Sequence, residues 1–356
     1  MRIVHFVPAV FGEDGIVGGA ERYAYELARH MSEVVPTTLA AFGDHNEERQ
    51  IGRLRFRIMG PAHYVRGQRA NPIAGSLLAE ISRADVVHCH QQHIVASSLA
   101  AAACRFSGRK VYVSDLGGGG WDISSYVSTE RWYHGHLHIS EYSRLISGHV
   151  SKSWAHVIYG GVDTEKFSPD ARVQREETVL FVGRLLPHKG IDDLVRAVPP
   201  DMKLEIIGNA YHTKYAEDLH KLTERKNVVF RHGCDDVALV DAYRRALCIV
   251  LPSVYRSMYG EETTVPELLG QTLLEGMACG TPAICTNVAS MPEVVQHQVT
   301  GYVVPPNDPS ALREKILWLR EHSDESAKMG VSARQRVVER FTWPAVVQRC
   351  LGIYES

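Results

Sequence analysis

Short apolar segments alternate with longer helical patterns along most of this chain. The first segment, RIVHFVP, is followed by GGAERYAYELARHM, in which Ala20, Tyr23, Ala24, Leu27 and Met31 recur at helical spacing. Later segments such as ADVVHCH and TVLFVG are again followed by helical patterns. Apolar strands that alternate with amphipathic helices are typical of βαβ units, in which helices cover both faces of a parallel sheet. The pattern therefore predicts an α/β protein with parallel sheets.

The alternation lapses once, in the polar stretch GGVDTEKFSPDARVQREE, and we expect a linker near residues 161–177. The chain has 356 residues, and single cores stop growing at about 250–300 residues, so two domains are expected. We predict a Rossmann-like domain over 1–165 and a second over 166–340. A last helix in 341–356 is expected to pack back toward the first domain. Ligands of doubly wound folds bind beyond the carboxyl ends of the strands, which predicts a site in a cleft between the two domains.

Composition and charge narrow the class of protein. The chain is 45% hydrophobic and 22% charged, and its net charge of −2 argues against nucleic acid as a partner. Its seven cysteines form no CxxC pair, so we expect buried thiols in a reducing cytoplasm. No apolar run reaches the roughly 18 residues of a spanning helix. Only the basic stretches RLRFRIMG and HYVRGQR hint at peripheral contact with a membrane, and an ordinary solvated strand and loop is the alternative interpretation.

Two strand-to-helix turns carry residues suited to phosphate. In GGAE, Gly18 and Gly19 would let a ligand approach the backbone at a helix N-terminus, although a plain tight turn explains them equally well. In FVGRLLPHKG, a buried strand ends at Gly183, and Arg184 and Lys189 follow at the rim. A guanidinium, an ammonium and helix N–H groups together suit a diphosphate. The alternative is two solvated surface cations.

The segment PELLGQTLLEGMACGTPA, residues 266–283, contains two glutamates eight positions apart. On one helix Glu267 and Glu275 would lie about 12 Å apart along the axis and point roughly 80° apart. That arrangement does not fit the roughly 5–9 Å carboxylate pair of a glycosidase. Pro266 and Gly270 argue against a continuous helix, so we expect Glu267 on a loop and a helix from about Thr272. The two carboxylates are therefore assigned to separate tasks.

In order and context, these segments resemble motifs of the retaining GT-B glycosyltransferases of family 4. PELLGQTLLEGMACGTPAI resembles the E-x7-E segment, FVGRLLPHKG the phosphate-binding turn, GGAERYAYELARHM the first crossover, and YGGVDTEKFSP the linker. The resemblance covers essentially the whole chain and is strongest over residues 158–310. It implies a GT-B fold, in which two Rossmann-like doubly wound domains face each other across a cleft. It also implies a cytoplasmic, metal-independent, retaining hexosyltransferase that needs no cofactor.

The resemblance also implies roles for individual residues. Glu267 would contact the donor sugar hydroxyls, and Glu275 would accept hydrogen bonds from the ribose. Arg184 and Lys189 would hold the diphosphate. The backbone would assist at Gly183, Thr272 and Leu273 and, from the other domain, at Gly18 and Gly19.

The acceptor side of the site departs from the family pattern. Many relatives carry a histidine after the fifth strand of the first domain, where this chain has Ser114 and Asp115. Asp115 is a candidate for binding or deprotonating the acceptor, with a turn-capping role as the alternative. His90, at the end of an earlier strand, is a candidate to line the same site. The clusters HCHQQH and HGHLH could converge on a metal, but no cysteine or carboxylate lies at a familiar zinc spacing, so no metal is predicted.

The resulting hypothesis is transfer of a sugar from a nucleoside diphosphate sugar to a hydroxyl acceptor, either a glycan, a lipid-linked molecule or a small molecule. A UDP-sugar is the first expectation and a GDP-sugar the second, from their frequency in the family. Two alternatives stay open at this point. One is a sugar phosphorylase or nucleotide-sugar epimerase on the same fold, and the other is a non-catalytic protein that binds nucleotide sugars.

Overall fold

The computed structural model describes residues 1–8, 19–117 and 120–356, which form two compact units. The first comprises Met1–Gly161 together with Trp343–Ser356, and the second comprises Val162–Thr342. The first unit ends at Gly161, whereas the sequence predicted a boundary after residue 165. Val162 and Thr342 form a β-bridge, and both residues belong to the second unit. Within the described ranges, no helix combines the length and apolar character needed to cross a membrane.

The first unit is built on a mostly parallel sheet. Its described strands are β1 (Ile3–Phe6), β2 (Thr37–Phe42), β3 (Glu47–Ile51), β4 (Leu54–Met59), β5 (His63–Tyr64), β6 (Pro72–Ile73), β7 (Val86–Cys89), β8 (Lys110–Val113), β9 (Gly135–His138) and β10 (Ala155–Val157). Its first helices are α1 (Gly19–Ser32), α2 (Leu77–Ser82), α3 (Val95–Ser107) and α4 (Glu141–Ile146). The strand order is β10-β9-β8-β7-β1-β2-β4-β3, antiparallel only between β3 and β4, while β5 and β6 pair separately.

The second unit has a fully parallel sheet. Its strands are β11 (Thr178–Val182), β12 (Lys203–Ile207), β13 (Val228–Arg231), β14 (Cys248–Leu251), β15 (Ala283–Thr286) and β16 (Gly301–Val304). Its helices are α5 (Ile191–Ala197), α6 (Thr213–Leu222), α7 (Asp236–Arg245), α8 (Gln271–Ala278), α9 (Met291–Val294), α10 (Pro309–Glu321) and α11 (Ser323–Arg340). The order β13-β12-β11-β14-β15-β16 is the 3-2-1-4-5-6 order of a Rossmann sheet, which reverses between β11 and β14.

The last helix, α12 (Trp343–Glu355), belongs to the first unit. The Tyr112 hydroxyl donates to the carbonyl of Ile353 at 3.0 Å, and Lys110 Nζ donates to the carbonyl of Tyr354 at 2.8 Å. Both donors come from β8, so the end of the chain is fastened to the middle of the first sheet.

The cores explain why these segments form strands. The side chains of β11, β14 and β15 are all buried, as expected for parallel strands covered by helices on both faces. The basic stretch RLRFRIMG forms β4, and its arginines are paired within the unit. Arg55 Nη1 lies 2.7 Å and Arg57 Nε 3.6 Å from carboxylate oxygens of the buried Glu80. Much of the positive charge that hinted at a membrane surface is therefore neutralised locally.

Candidate active site

The turn after β11 lies at the switch point of the second sheet. The Gly183 N–H donates to the Ile207 carbonyl at 2.9 Å, and Arg184 follows with an exposed side chain. A single helical turn, Pro187–Lys189, leads to Gly190 with φ of 63°. A Cβ at Gly190 would lie 2.1 Å from the carbonyl oxygen of Pro252. The turn after β11 thus approaches the turn after β14 to a distance that only glycine permits.

The loop 252–270, between β14 and α8, carries Glu267 into the same place. Lys189 Nζ and Glu267 Oε2 are 2.5 Å apart, and the side chains are 11% and 16% exposed. The Gly270 N–H donates to Glu267 Oε1 at 3.3 Å, and Gly270, with φ of 83°, leads into α8. The sequence assigned Lys189 and Glu267 to different parts of a ligand. In the structure they are direct partners.

The turn carries one exposed guanidinium, one ammonium that is paired with a carboxylate, and one neutral imidazole. Burial, with Lys189 and Arg184 nearby, lowers the pKa of His188 to about 4, so this imidazole is neutral at pH 7. The Arg184 guanidinium lies 5.9 Å from the centroid of the exposed Tyr211 ring and is accessible to a ligand. Together the turn presents one accessible guanidinium and one ammonium whose partner a phosphate can replace.

Helix α8 positions the second carboxylate. It begins at Gln271, one residue before the expected start at Thr272, and Glu275 is 3% exposed on it. The Tyr243 hydroxyl donates to Glu275 Oε2 at 2.9 Å, a contact from α7 that sequence reasoning missed. The Leu273 N–H donates to the Gly270 carbonyl at 3.0 Å, so in this conformation that amide is committed to the first turn of the helix.

The remaining predicted residues lie in the first unit. Gly18 lies outside the described residues, and Gly19 is exposed at the first position of α1. Asp115 follows β8, is exposed, and its Oδ1 accepts the Gly117 N–H at 3.3 Å. It lines a cavity of about 440 Å³ with Gln92, His93 and the loop 124–130. No periodic signal in the sequence marked that loop.

His90 belongs to a buried histidine cluster with His5 and His88, whose ligand-capable atoms lie within 4.8 Å of one another. His5 Nδ1 and His90 Nε2 are hydrogen-bonded at 2.9 Å. His88 is held by Ser114 Oγ at 2.9 Å and by the Tyr354 hydroxyl at 2.7 Å. Burial lowers the pKa of His5 to about 3 and those of His88 and His90 well below the usual value. The hydrogen bonds between His5 and His90 and from His88 to Ser114 and Tyr354 indicate a packed polar core, in which His90 Nδ1 has no partner among the described residues.

Comparison with known proteins places the chain in a family. Residues 162–336 match the family described as "Glycosyl transferases group 1", and residues 17–166 match "Glycosyltransferase Family 4". The two matches together extend from residue 17 to residue 336. The chain therefore belongs to the family 4 glycosyltransferases, and its fold is GT-B, as the sequence predicted.

Three relatives illustrate the similarity. An uncharacterized glycosyltransferase of Methanocaldococcus jannaschii is 27% identical over 77% of this chain and 76% of its own. A GDP-mannose-dependent alpha-(1-6)-phosphatidylinositol monomannoside mannosyltransferase of Mycolicibacterium smegmatis is 32% identical, and the alignment spans about half of either chain, 51% of each. The crystal structure of HepE from Anabaena in complex with UDP has a TM-score of 0.74 at 18% identity and covers 99% of both chains.

Proposed function

We propose that this protein transfers a hexose from a nucleoside diphosphate sugar to a hydroxyl acceptor, with retention of anomeric configuration and without a metal ion. The observation that carries the proposal is the group formed by Arg184, Lys189 and Glu267 at the switch point of the second sheet. An exposed guanidinium and a paired ammonium beside a carboxylate match a ligand that joins a diphosphate to a polyhydroxylated ring.

Each residue then has a chemical task. Arg184 and Lys189 stabilise the negative charge that develops on the departing diphosphate, which is the role a metal fills in other transferases. Glu267, released from Lys189, accepts hydrogen bonds from hydroxyls of the transferred sugar, and Glu275 accepts from the ribose. The leaving phosphate takes the proton of the incoming hydroxyl on the same face, so no enzymatic nucleophile is required. Asp115 contacts the acceptor, and the buried His90 remains within the histidine cluster.

The relatives suggest which donors to test first. The mannosyltransferase is named for GDP-mannose, and HepE was crystallised with UDP. The former is more similar in sequence, so we place GDP-mannose ahead of UDP-glucose, reversing the order expected from family frequency alone.

The proposal is tested by incubating the purified chain with GDP-mannose or UDP-glucose and a set of methyl glycosides and glycerol. Release of the nucleoside diphosphate reports transfer, and the anomeric coupling constant of the product reports its stereochemistry. We expect the donor's anomeric configuration in the product and unchanged rates in EDTA. An inverted product would contradict retention, and activity that EDTA removes and Mn²⁺ restores would contradict metal independence. Donor binding without turnover on any acceptor would favour a non-catalytic binding protein.

A further inference from the structure

The first unit contains a cavity of about 440 Å³, within the roughly 300–1,000 Å³ typical of small-molecule sites. One wall is the loop Ser124–Glu130. The others are Gln92 and His93 after β7, Asp115 after β8, and Ser147 and His149 after α4. Asp115 is the residue that the proposed function assigns to the acceptor. The cavity therefore lies beside the candidate acceptor carboxylate, beyond the carboxyl ends of β7 and β8.

The lining of this cavity is rich in hydroxyls and acidic. Five serine or threonine side chains line it together with the carboxylates of Asp115 and Glu130, and none of its described lining residues is lysine or arginine. Hydroxyls and carboxylates hydrogen-bond well to sugar hydroxyls. Two carboxylates with no cation repel a phosphate or carboxylate group, and such repulsion is a common basis of specificity.

One residue that lines the cavity, Thr129, has a buried hydroxyl without a hydrogen-bond partner among the described residues. Thr129 is 1% exposed, and its Oγ1 has no hydrogen-bond partner among the described residues. Its side chain does not cap the short helical turn that follows it. Buried polar atoms are nearly always hydrogen-bonded, so an unpaired hydroxyl in a cavity wall indicates a ligand or water.

The carboxylate of the neighbouring Glu130 is held in position by a hydrogen bond with His149. His149 Nε2 lies 3.3 Å from Glu130 Oε1, and His149 Nδ1 lies 3.1 Å from His138 Nε2. Because the carboxylate can only accept, His149 donates through Nε2, and its Nδ1 then accepts from His138. Two buried imidazoles thus orient one carboxylate at the cavity wall.

The opposite part of the loop is fixed by a buried carboxylate. Asp122 is 1% exposed, and its Oδ1 accepts the Ser124 N–H at 2.9 Å. Its other oxygen accepts from the Ser98 hydroxyl on α3. A hydrogen bond of 2.9 Å also joins Ser124 Oγ to His93 Nδ1. Hydrogen bonds within the protein therefore hold Ser124 in place before a ligand arrives, which lowers the entropy cost of binding.

We propose that this cavity binds a neutral, polyhydroxylated acceptor, meaning a sugar or polyol without phosphate or carboxylate groups, and directs one of its hydroxyls to Asp115. The inference rests on the proposed function and adds the chemical class of the acceptor. Thr129 and Glu130 would bind the ligand, and His149 acts as a positioning residue for Glu130. This class differs from the anionic phosphatidylinositol acceptor named for the mycobacterial relative.

The test uses saturation-transfer NMR on the full chain, alone and with GDP or UDP. The probes are the methyl α-glycosides of glucose, galactose and mannose, and glucose 6-phosphate and mannose 6-phosphate. We expect saturation transfer to at least one neutral glycoside and none to the phosphates. Preference for the phosphates, or no transfer to any glycoside with or without nucleotide, would overturn the proposal.

Thr129→Val separates ligand binding from a structural role. Because the Thr129 hydroxyl has no hydrogen-bond partner among the residues that the structure describes, its removal should not lower the melting temperature. It should weaken glycoside binding about tenfold, the effect of losing one buried hydrogen bond. The matched control is Ser151→Ala, an exposed hydroxyl outside the cavity. Equal glycoside affinity in wild type and Thr129→Val would contradict the site.

Nucleotide binding, measured separately, distinguishes the two proposals. Glycosides that bind while GDP and UDP do not would leave the cavity intact and overturn the proposed transferase. If the nucleotides bind and no glycoside does, the proposed donor site stands and the proposal that the cavity binds an acceptor is overturned.

Discussion

Lys189 and Glu267 form an ion pair, with 2.5 Å between Nζ and Oε2, in which both side chains are more than four-fifths buried. They are 78 positions apart in the chain and meet because the turns after β11 and β14 lie side by side at the switch point of the sheet. In the free protein the ammonium and the carboxylate neutralise each other. A diphosphate that takes Lys189 would release Glu267 for the sugar, which couples recognition of the two halves of a donor.

The ion pair between Lys189 and Glu267 should contribute measurably to the free energy of unfolding. Lys189→Met and Glu267→Gln each leave a mostly buried charge without its partner, so each should lower the free energy of unfolding by about 1–3 kcal/mol. The double variant should lose clearly less than the sum, by more than about 0.5 kcal/mol. Urea denaturation of the four proteins measures the coupling. Strictly additive losses would show that the two side chains do not interact in solution.

Gly190 should tolerate no side chain. Gly190 and Gly233 both have φ of 63°, but a Cβ at Gly190 would lie 2.1 Å from the Pro252 carbonyl, whereas at Gly233 it would meet nothing within 4 Å. Gly233→Ala should therefore cost only the left-handed strain of about 1 kcal/mol. Gly190→Ala should cost about 2 kcal/mol more and weaken nucleotide binding, because the turn that carries Lys189 must move. Thermal and urea denaturation compare the two variants, and equal losses would refute the close approach.

Stability should fall in mild acid. Burial lowers the pKa of His5 to about 3 and that of His136 to about 4, below the ordinary 6.5. At a pH between the lowered native pKa and the ordinary value of 6.5, each of these imidazoles is protonated in the unfolded chain and neutral in the native protein. The contribution is therefore fully present above pH 6.5 and is lost as pH falls toward 4, by about 1.4 kcal/mol per pH unit for each group.

Urea denaturation between pH 7 and pH 4.5 measures this slope. His5→Gln should flatten it, while His45→Gln, which replaces a side chain that is 76% exposed, should leave it unchanged. A wild-type stability that is constant over this range would mean that these imidazoles are protonated in the native protein.

The sequence predicted the sheets and the turns that carry Lys189 and Glu267 because both follow from local pattern. Short, largely apolar segments such as TVLFV and CIVL are typical of strands buried on both faces. Gly183 directly follows the first of them, and Gly270 precedes α8. The partners of the site residues were not predictable. The contact between Glu275 and Tyr243 depends on which faces of α8 and α7 meet. The unpaired Thr129 hydroxyl depends on how an irregular loop closes, and no periodicity records that.

The central claim is that Lys189 belongs to a site for a nucleoside diphosphate, and calorimetric titration with GDP and UDP tests it most directly. The matched control is Lys221→Met, which removes a lysine that is 70% exposed in the same unit. We expect wild type and Lys221→Met to bind at least one of the nucleotides equally well. Lys189→Met should raise the dissociation constant about 10- to 100-fold, as expected for losing one charge-assisted hydrogen bond. Equal affinity in Lys189→Met, or no binding of either nucleotide to the wild type, would contradict it.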